Sequence, residues 1–178
     1  MEYFDADRCV HDLLAADAAT REAVVAAFGR DVLNEAGWPD RAKLRETVFA
    51  DAGRRKALEG ILHPMVRARW MHRVEEARKT KACVLIDIPL LYETGAQGGL
   101  DRVVVVACSR ETQLRRLTTE RGLAPDLAAR MIAAQLDLSA KIQQADHVIW
   151  NDSTVSNLDG QSRLFASWLR EWSAIAHA

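Results

Sequence analysis

A chain of 178 residues with 49% hydrophobic residues is long enough for one domain with a substantial core. Its 24 basic and 25 acidic residues leave a formal net charge of -1, which gives no global attraction to nucleic acid or to an anionic membrane. The longest strongly apolar run, Val103 to Cys108, is far too short to span a bilayer, and the acidic start lacks the basic and apolar regions of a secretion signal. Three scattered cysteines (Cys9, Cys83, Cys108) without CxxC spacing suggest buried, reduced thiols in a cytoplasmic protein. The histidines His11, His63, His72, His147 and His177 are dispersed and make no metal-ligand spacing.

Taken in chain order, Glu2 to Phe4 reads as the tail of a strand. A helix is expected over Arg8 to Ala16, with Asp7 placed as its N-cap, because a short side-chain acceptor there satisfies free amides. A second helix is expected over Ala18 to Phe28, with Gly29 suited to the residue just past its end. Asp31 to Ala36 reads as a short helical piece stopped by Gly37 and Pro39. Helical patterns follow at Arg41 to Phe49 and Ala52 to Leu62, and Pro64 is expected to open another helix to about Lys79.

Cys83 to Ile88 and Val103 to Cys108 are unbroken apolar runs rich in β-branched residues, which indicates parallel strands covered on both faces. Gln113 to Glu120 and Asp126 to Leu136 read as helices, His147 to Trp150 as a last strand, and Leu158 to Ile175 as a last helix. Strands alternating with helices predict an α/β class: a doubly wound parallel sheet with helices on both faces. The long helical stretch from Arg8 to Lys79 reads as a substrate-binding insertion. Such sheets bind ligands beyond the carboxyl ends of their strands, where Asp5, Asp7, Asp87 to Glu93, Ser109, Arg110 and Asn151 all fall.

Each of these residues has a plain reading beside a chemical one. Asp5 and Asp7 can simply end a strand and cap a helix; a carboxylate there can also accept the proton of a hydroxyl nucleophile in phosphoryl transfer. Asp87 or Glu93 could orient Mg²⁺ after a buried strand, while Leu90 and Leu91 could be plain core. His63 before Pro64 could mark only a helix start or could hold a substrate. Arg115, Arg116, Arg121 and Arg130 could form a solvated basic face. Alternatively they form a lid, since a planar guanidinium binds phosphate oxygens bidentately. Asn151 is unremarkable by itself, because Asn is common in turns.

The ordered set of stretches resembles the dephospho-coenzyme A kinase family. It comprises Phe4-Asp-Ala-Asp7, Phe28-Gly29 with Asp31-Val-Leu33, Asp40 to Arg45 with Val48-Phe49, and Leu58 to Pro64. It continues with Ile88 to Glu93, Gln113 to Leu117, Arg130 to Gln135, and Ala145 to Asn151. The resemblance implies a P-loop kinase fold and ATP-dependent phosphorylation of the ribose 3′-hydroxyl of dephospho-coenzyme A. Helices over about 8–80 would bind coenzyme A, 82–110 and 146–178 would form the core, and about 111–145 the lid of a single domain. It implies Asp7 as general base, and Asp5, Arg45, His63, Pro89, Leu90 and Leu91 around the acceptor. Arg116, Arg130 and Asn151 would lie on the nucleotide side, and Asp87 would be toward Mg²⁺. The spacing from Arg116 to Arg121 is one residue longer than the family pattern, so Arg121 has no assigned equivalent.

The family pattern opens with a strand and a Gly-rich loop ending in Gly-Lys-Ser/Thr, and no Gly-Lys pair occurs in these 178 residues. That loop supplies backbone N–H donors, a Lys and a Mg²⁺-binding hydroxyl for the phosphates. The expectation is therefore an enzyme whose reading frame starts upstream of Met1. As written, it should be marginal or aggregation-prone alone, for want of a central strand. The alternatives are a catalytically inactive binding paralogue and another small nucleotide kinase of the same fold.

Overall fold

The structure is a computed structural model that describes residues 1–176; His177 lies outside the described residues. The chain gathers into two compact units, Met1–Pro89 and Leu90–Ala178.

In the first unit, strand β1 (Glu2–Asp5) runs straight into helix α1 (Ala6–Ala16). Helices α2 (Ala18–Phe28), α3 (Arg41–Ala50) and α4 (Ala52–Thr80) follow, then strand β2 (Val84–Asp87). β1 and β2 pair in parallel, with Tyr3 opposite Leu85 and Asp5 opposite Asp87. The helices close on a cluster of Leu14, Val24, Phe28, Val32, Leu44 and Leu62. On α4 the buried residues Leu62, Val66, Trp70 and Val74 recur every four positions, so one apolar stripe runs most of its length.

That stripe explains a difference from the sequence expectation. Pro64 does not open a helix; it lies inside α4. An interior Pro costs about 3 kcal/mol through its missing N–H and the clash with the preceding turn. The stripe has buried residues on both sides of it, Leu62 and Val66, and their packing keeps the two halves as one helix. Residues 31–36 are not helical either. They form a tight reversal in which Leu33 bridges Pro39, the Asn34 amide donates to the Trp38 carbonyl at 2.8 Å, and the Trp38 amide donates to Asn34 Oδ1 at 3.0 Å. Asn34 satisfies the backbone locally, which is why Asn competes against helix. Gly29 does end α2, at φ 82°, a region open to Gly at little cost.

The helix starts of this unit follow one rule: an Asp in extended backbone accepts the first free amides. Asp5, Asp17, Asp40 and Asp51 cap α1, α2, α3 and α4 in turn. Asp17 also meets Arg69 at 2.9 Å and the fully buried Thr20. The Thr20 amide (2.8 Å) and hydroxyl (2.9 Å) hold the Asp17 carboxyl below its ordinary value of 3.8. A lowered folded-state value means that this contribution is complete above the unfolded pKa and is lost as pH falls through the folded one. Wild type is therefore expected to lose more stability than Asp17→Asn on acidification below about pH 5, read from denaturation midpoints. Parallel pH profiles for the two proteins would show the assignment to be wrong.

In the second unit, strands β3 (Val104–Ala107) and β4 (His147–Trp150) pair in parallel. Helices α5 (Arg110–Arg115), α6 (Pro125–Ala133) and α7 (Leu138–Gln144) lie between them, and α8 (Val155–Ala176) closes the unit. Val103, Val105 and Ala107 pack with Leu138, Ile142 and Val148, while the His147 ring meets Phe165 and Trp168 of α8 in tilted contacts, each with centroids 5.2 Å apart. Adjacent residues of β4 point to opposite faces, so α7 and α8 contact opposite sides of this pair. The α/β class with parallel strands is thus as expected.

The continuous sheet is not: among the described residues the strands form two separate two-stranded pairs. Nor are the strands covered throughout. In β3, Val105 and Ala107 are buried but Val106 is 62% exposed, and in β1 Tyr3 is 60% exposed. The unbroken apolar runs suggested burial on both faces, but a two-stranded pair offers fewer neighbours to provide it. Helix α7 is an element the sequence reading did not assign; the helix expected before it, Asp126 to Leu136, ends at Ala133. The three cysteines are free and half-buried.

Candidate active site

The strand-end polar groups fall into two sets, one in each unit. In the first unit they gather at the carboxyl end of the β1–β2 pair. Asp5 is the last residue of β1 and lies opposite Asp87, the last of β2. Two carboxylates in directly opposed positions repel, and each has a partner that absorbs part of its charge. Asp5 Oδ1 accepts the Arg8 amide at 2.9 Å, so Asp5, not Asp7, caps α1. Asp87 Oδ2 accepts the Tyr3 hydroxyl at 2.9 Å, reached diagonally across the pair. This bond raises the Tyr3 phenol above its ordinary range, since the ionised phenol would face a carboxylate.

Asp7 is left over. It sits in the first turn of α1, exposed, and among the described residues its carboxylate has no hydrogen bond or ion pair. The N-terminal end of the helix favours its negative charge. The correction to the expected cap has a physical reason. Pairing with β2 keeps Asp5 extended, which is the conformation an N-cap needs, so the helix begins one residue after the strand. Asp7 is thereby freed from a structural task.

Arg45 lies on α3 next to buried Leu44, and His63 lies on α4 next to buried Leu62. Both side chains are exposed and without a partner among the described residues. Pro89 closes the first unit, one residue beyond Ile88.

In the second unit, Leu90 is 39% exposed, whereas Leu91 packs with Tyr92 against Val103, Val105 and Ala107. Glu93 is not a free carboxylate. It accepts Lys141 Nζ at 2.7 Å and the Leu136 amide at 2.9 Å. Partial burial pushes Glu93 up, but the Lys141 bond and the Leu136 amide outweigh it and hold the carboxyl below its ordinary range. Through Oε1, Glu93 ties the segment after Pro89 to Lys141 of α7.

Arg116 and Asn151, named separately from sequence, are brought together. Arg116 Nη2 donates to the Asn151 carbonyl at 2.9 Å and to its Oδ1 at 3.3 Å. The Asn151 amide donates to the Ala107 carbonyl at 2.6 Å, continuing the β3–β4 ladder by one step. Asp152 accepts both the Ser109 amide at 2.9 Å and the Ser109 hydroxyl at 3.1 Å. The carboxyl ends of β3 and β4 are therefore laced together on rigid elements. Arg130, on α6, is exposed with no side-chain partner among the described residues. Sequence reading missed Tyr3 and Asp152. Tyr3 had a signal, its position two residues before Asp5 on the same strand face; Asp152 had none, because its partner Ser109 is 43 residues away.

Among the described residues, no three His, Cys, Asp or Glu side chains are placed to hold a metal ion together. Mg²⁺ in phosphoryl-transfer sites takes one or two carboxylates, with water and phosphates completing its shell. Asp87 keeps one carboxylate oxygen that Tyr3 does not engage, so its chemistry is compatible with that requirement.

The dephospho-CoA kinase family profile matches residues 1–157. The chain belongs to the dephospho-CoA kinase family. It is 41% identical over 165 residues to the dephospho-CoA kinase of Symbiobacterium thermophilum, covering 92% of this chain and 68% of the relative. It is 40% identical over 161 residues to that of Methylococcus capsulatus, covering 90% of this chain and 80% of the relative. A crystal structure from Thermus thermophilus superposes with a TM-score of 0.71 at 30% identity, over 96% of this chain and 84% of the other. The dephospho-CoA kinase of Campylobacter jejuni shares the fold, with a TM-score of 0.71 at 24% identity, over 98% of this chain and 86% of the other. As a member of the dephospho-CoA kinase family, the chain is classed with transferases that use ATP. Among the described residues no helix is long and apolar enough to cross a membrane.

Proposed function

We propose that this member of the dephospho-CoA kinase family transfers the γ-phosphoryl group of ATP to the ribose 3′-hydroxyl of dephospho-CoA, giving coenzyme A. The observation that carries the reading is the free Asp7 carboxylate at the end of a parallel strand pair whose other two strand-end carboxylates are engaged. Asp7 accepts the proton of the attacking hydroxyl as the new O–P bond forms and the bridge to the β-phosphate breaks. In the first unit the helices over about 8–80 hold the acceptor, with Asp5, Arg45, His63 and Pro89 as its contacts; Leu90 and Leu91 are assigned to the acceptor by the family pattern alone. Arg116 and Arg130 face the phosphates from a lid over about 111–145, and Asn151 lies on the nucleotide side.

Asp87 is the residue that would hold Mg²⁺, which would offset the negative charge of the phosphates there. Arg116 is already oriented by Asn151, so it loses less freedom on meeting a phosphate than an untethered arginine. On this reading the chain works in the cytoplasm, with ATP and dephospho-CoA as its partners.

The test is to mix the purified chain with ATP, Mg²⁺ and dephospho-CoA and follow coenzyme A formation. Simple nucleosides serve as competing acceptors. Turnover specific to dephospho-CoA is expected. Binding of dephospho-CoA without turnover would leave only a binding protein, and phosphorylation of nucleosides instead would assign another kinase of the same fold.

A further inference from the structure

Helix α8 runs back along strand β4, and one stripe of its side chains holds the two together. Gln161, Phe165, Trp168 and Trp172 follow a four-three-four spacing, which puts them on one helix face. Phe165 and Trp168 meet the ring of His147, the first residue of β4. The Trp172 ring meets the guanidinium of Arg102, 5.0 Å from its centroid. Gln161 reaches the other end of the strand. Its Oε1 accepts the Trp150 amide at 2.7 Å, and its Nε2 donates to the Trp150 carbonyl at 2.7 Å. The lengths agree, since three steps of strand and seven of helix each span about 10 Å.

Gln161 thus stands in for a neighbouring strand at a single residue. It fixes the end of β4 from its outer edge, with both bonds at good length. The next residue, Asn151, is fixed from the inner edge, where its amide meets the Ala107 carbonyl at 2.6 Å. Arg116 takes the Asn151 carbonyl and Oδ1. The Nδ2 donors of Asn151 have no partner among the described residues.

Shielding of an exposed edge would not by itself select this position. The amides of His147 and Asn151 donate to Val103 and Ala107, so Val148 and Trp150 face outward. Among the described residues no side chain bonds the outward groups of Val148. Of the two, the one beside Asn151 is held.

We infer that Gln161 is a positioning residue for the nucleotide. Without touching the nucleotide, it fixes the end of β4 so that the Asn151 side chain is presented at a set place and angle. This rests on the nucleotide-side placement of Asn151 proposed above.

The test is a double-mutant cycle on Mg²⁺·ATP affinity, read by calorimetric titration of the full chain, with dephospho-CoA titrated in parallel. Gln161→Met keeps the length of the side chain and removes both bonds. It is expected to weaken ATP by roughly 3- to 10-fold, the scale of one or two ordinary hydrogen bonds, and to leave dephospho-CoA unchanged. Gln161→Glu sets a carboxylate against the Trp150 carbonyl and should act in the same direction; it carries the test if Gln161→Met does not fold. Leu164→Ala, an exposed residue of α8, should change neither ligand. In the Asn151→Ala background, Gln161→Met should cost little further, because the group it positions is gone. An equal loss in both backgrounds, or an equal loss for both ligands, would show a general structural role and overturn the inference. Unchanged ATP affinity in the Gln161 variants, with a loss in Asn151→Ala, overturns the inference alone. If Asn151→Ala binds ATP like wild type, or wild type binds no ATP, the nucleotide-side reading fails and the inference falls with it.

Discussion

Asp7→Asn is expected to lower kcat by about 10²- to 10⁴-fold, the usual range for removing a general base, with dephospho-CoA still bound. The substitution keeps the size of the side chain and removes only its ability to take a proton. Folding should change little. Asp7 is exposed and caps nothing, so what is lost is its favourable position at a helix N-terminus, worth on the order of 0.3–1 kcal/mol. Two measurements separate the roles: single-turnover formation of coenzyme A, and binding of dephospho-CoA by titration. A variant whose kcat stays within a few-fold of wild type would remove Asp7 from the chemistry. Loss of binding with little change in kcat would recast it as a residue that holds the acceptor.

Leu44→Ala should damage function as well as stability. Leu44 is 2% exposed and sits in the cluster with Leu14, Val24, Phe28, Val32 and Leu62. Removing a buried leucine side chain costs about 2–5 kcal/mol, depending on how far the cavity collapses. That is a large part of the roughly 5–15 kcal/mol that holds a typical domain together. Leu44 is also the buried anchor of α3, and Arg45 is the next residue on that helix. A loosened α3 should therefore raise KM for dephospho-CoA in whatever fraction remains folded. Urea denaturation and steady-state kinetics check the two halves. A cost below about 1 kcal/mol would mean the site refills, and the packing argument for α3 would fail.

How much of this was legible before the structure depends on how local each signal is. The apolar runs at Val103–Cys108 and His147–Trp150 announced strands β3 and β4 to within a residue at each end. Ala18–Phe28 announced a helix with a glycine stop, and both hold. Capping aspartates were visible as a residue type, but the capping position was not. Choosing between Asp5 and Asp7 required knowing that β1 pairs with a strand about 80 residues away, which keeps Asp5 extended. Pro64 misled for the same reason. A proline reads locally as a boundary, but the stripe from Leu62 to Val74 overrules it through contacts with other helices.

The amino-acid sequence by itself determined the family, the α/β class, the near-neutral charge and the roster of polar groups at strand ends. Those follow from composition, ordered motifs and hydrophobic runs, which are properties of neighbours in the chain. Only the tertiary structure decided which of those groups are free. It engaged Asp5 and Asp87, bound Glu93 to Lys141, tethered Arg116 to Asn151, and left Asp7 and Arg121 without partners among the described residues. The reason is physical. A hydrogen bond or ion pair forms within about 3–4 Å and a few tens of degrees; apart from the local Asp5 cap, the partners lie 35 to 84 residues apart in sequence, and only the folded backbone brings them that close.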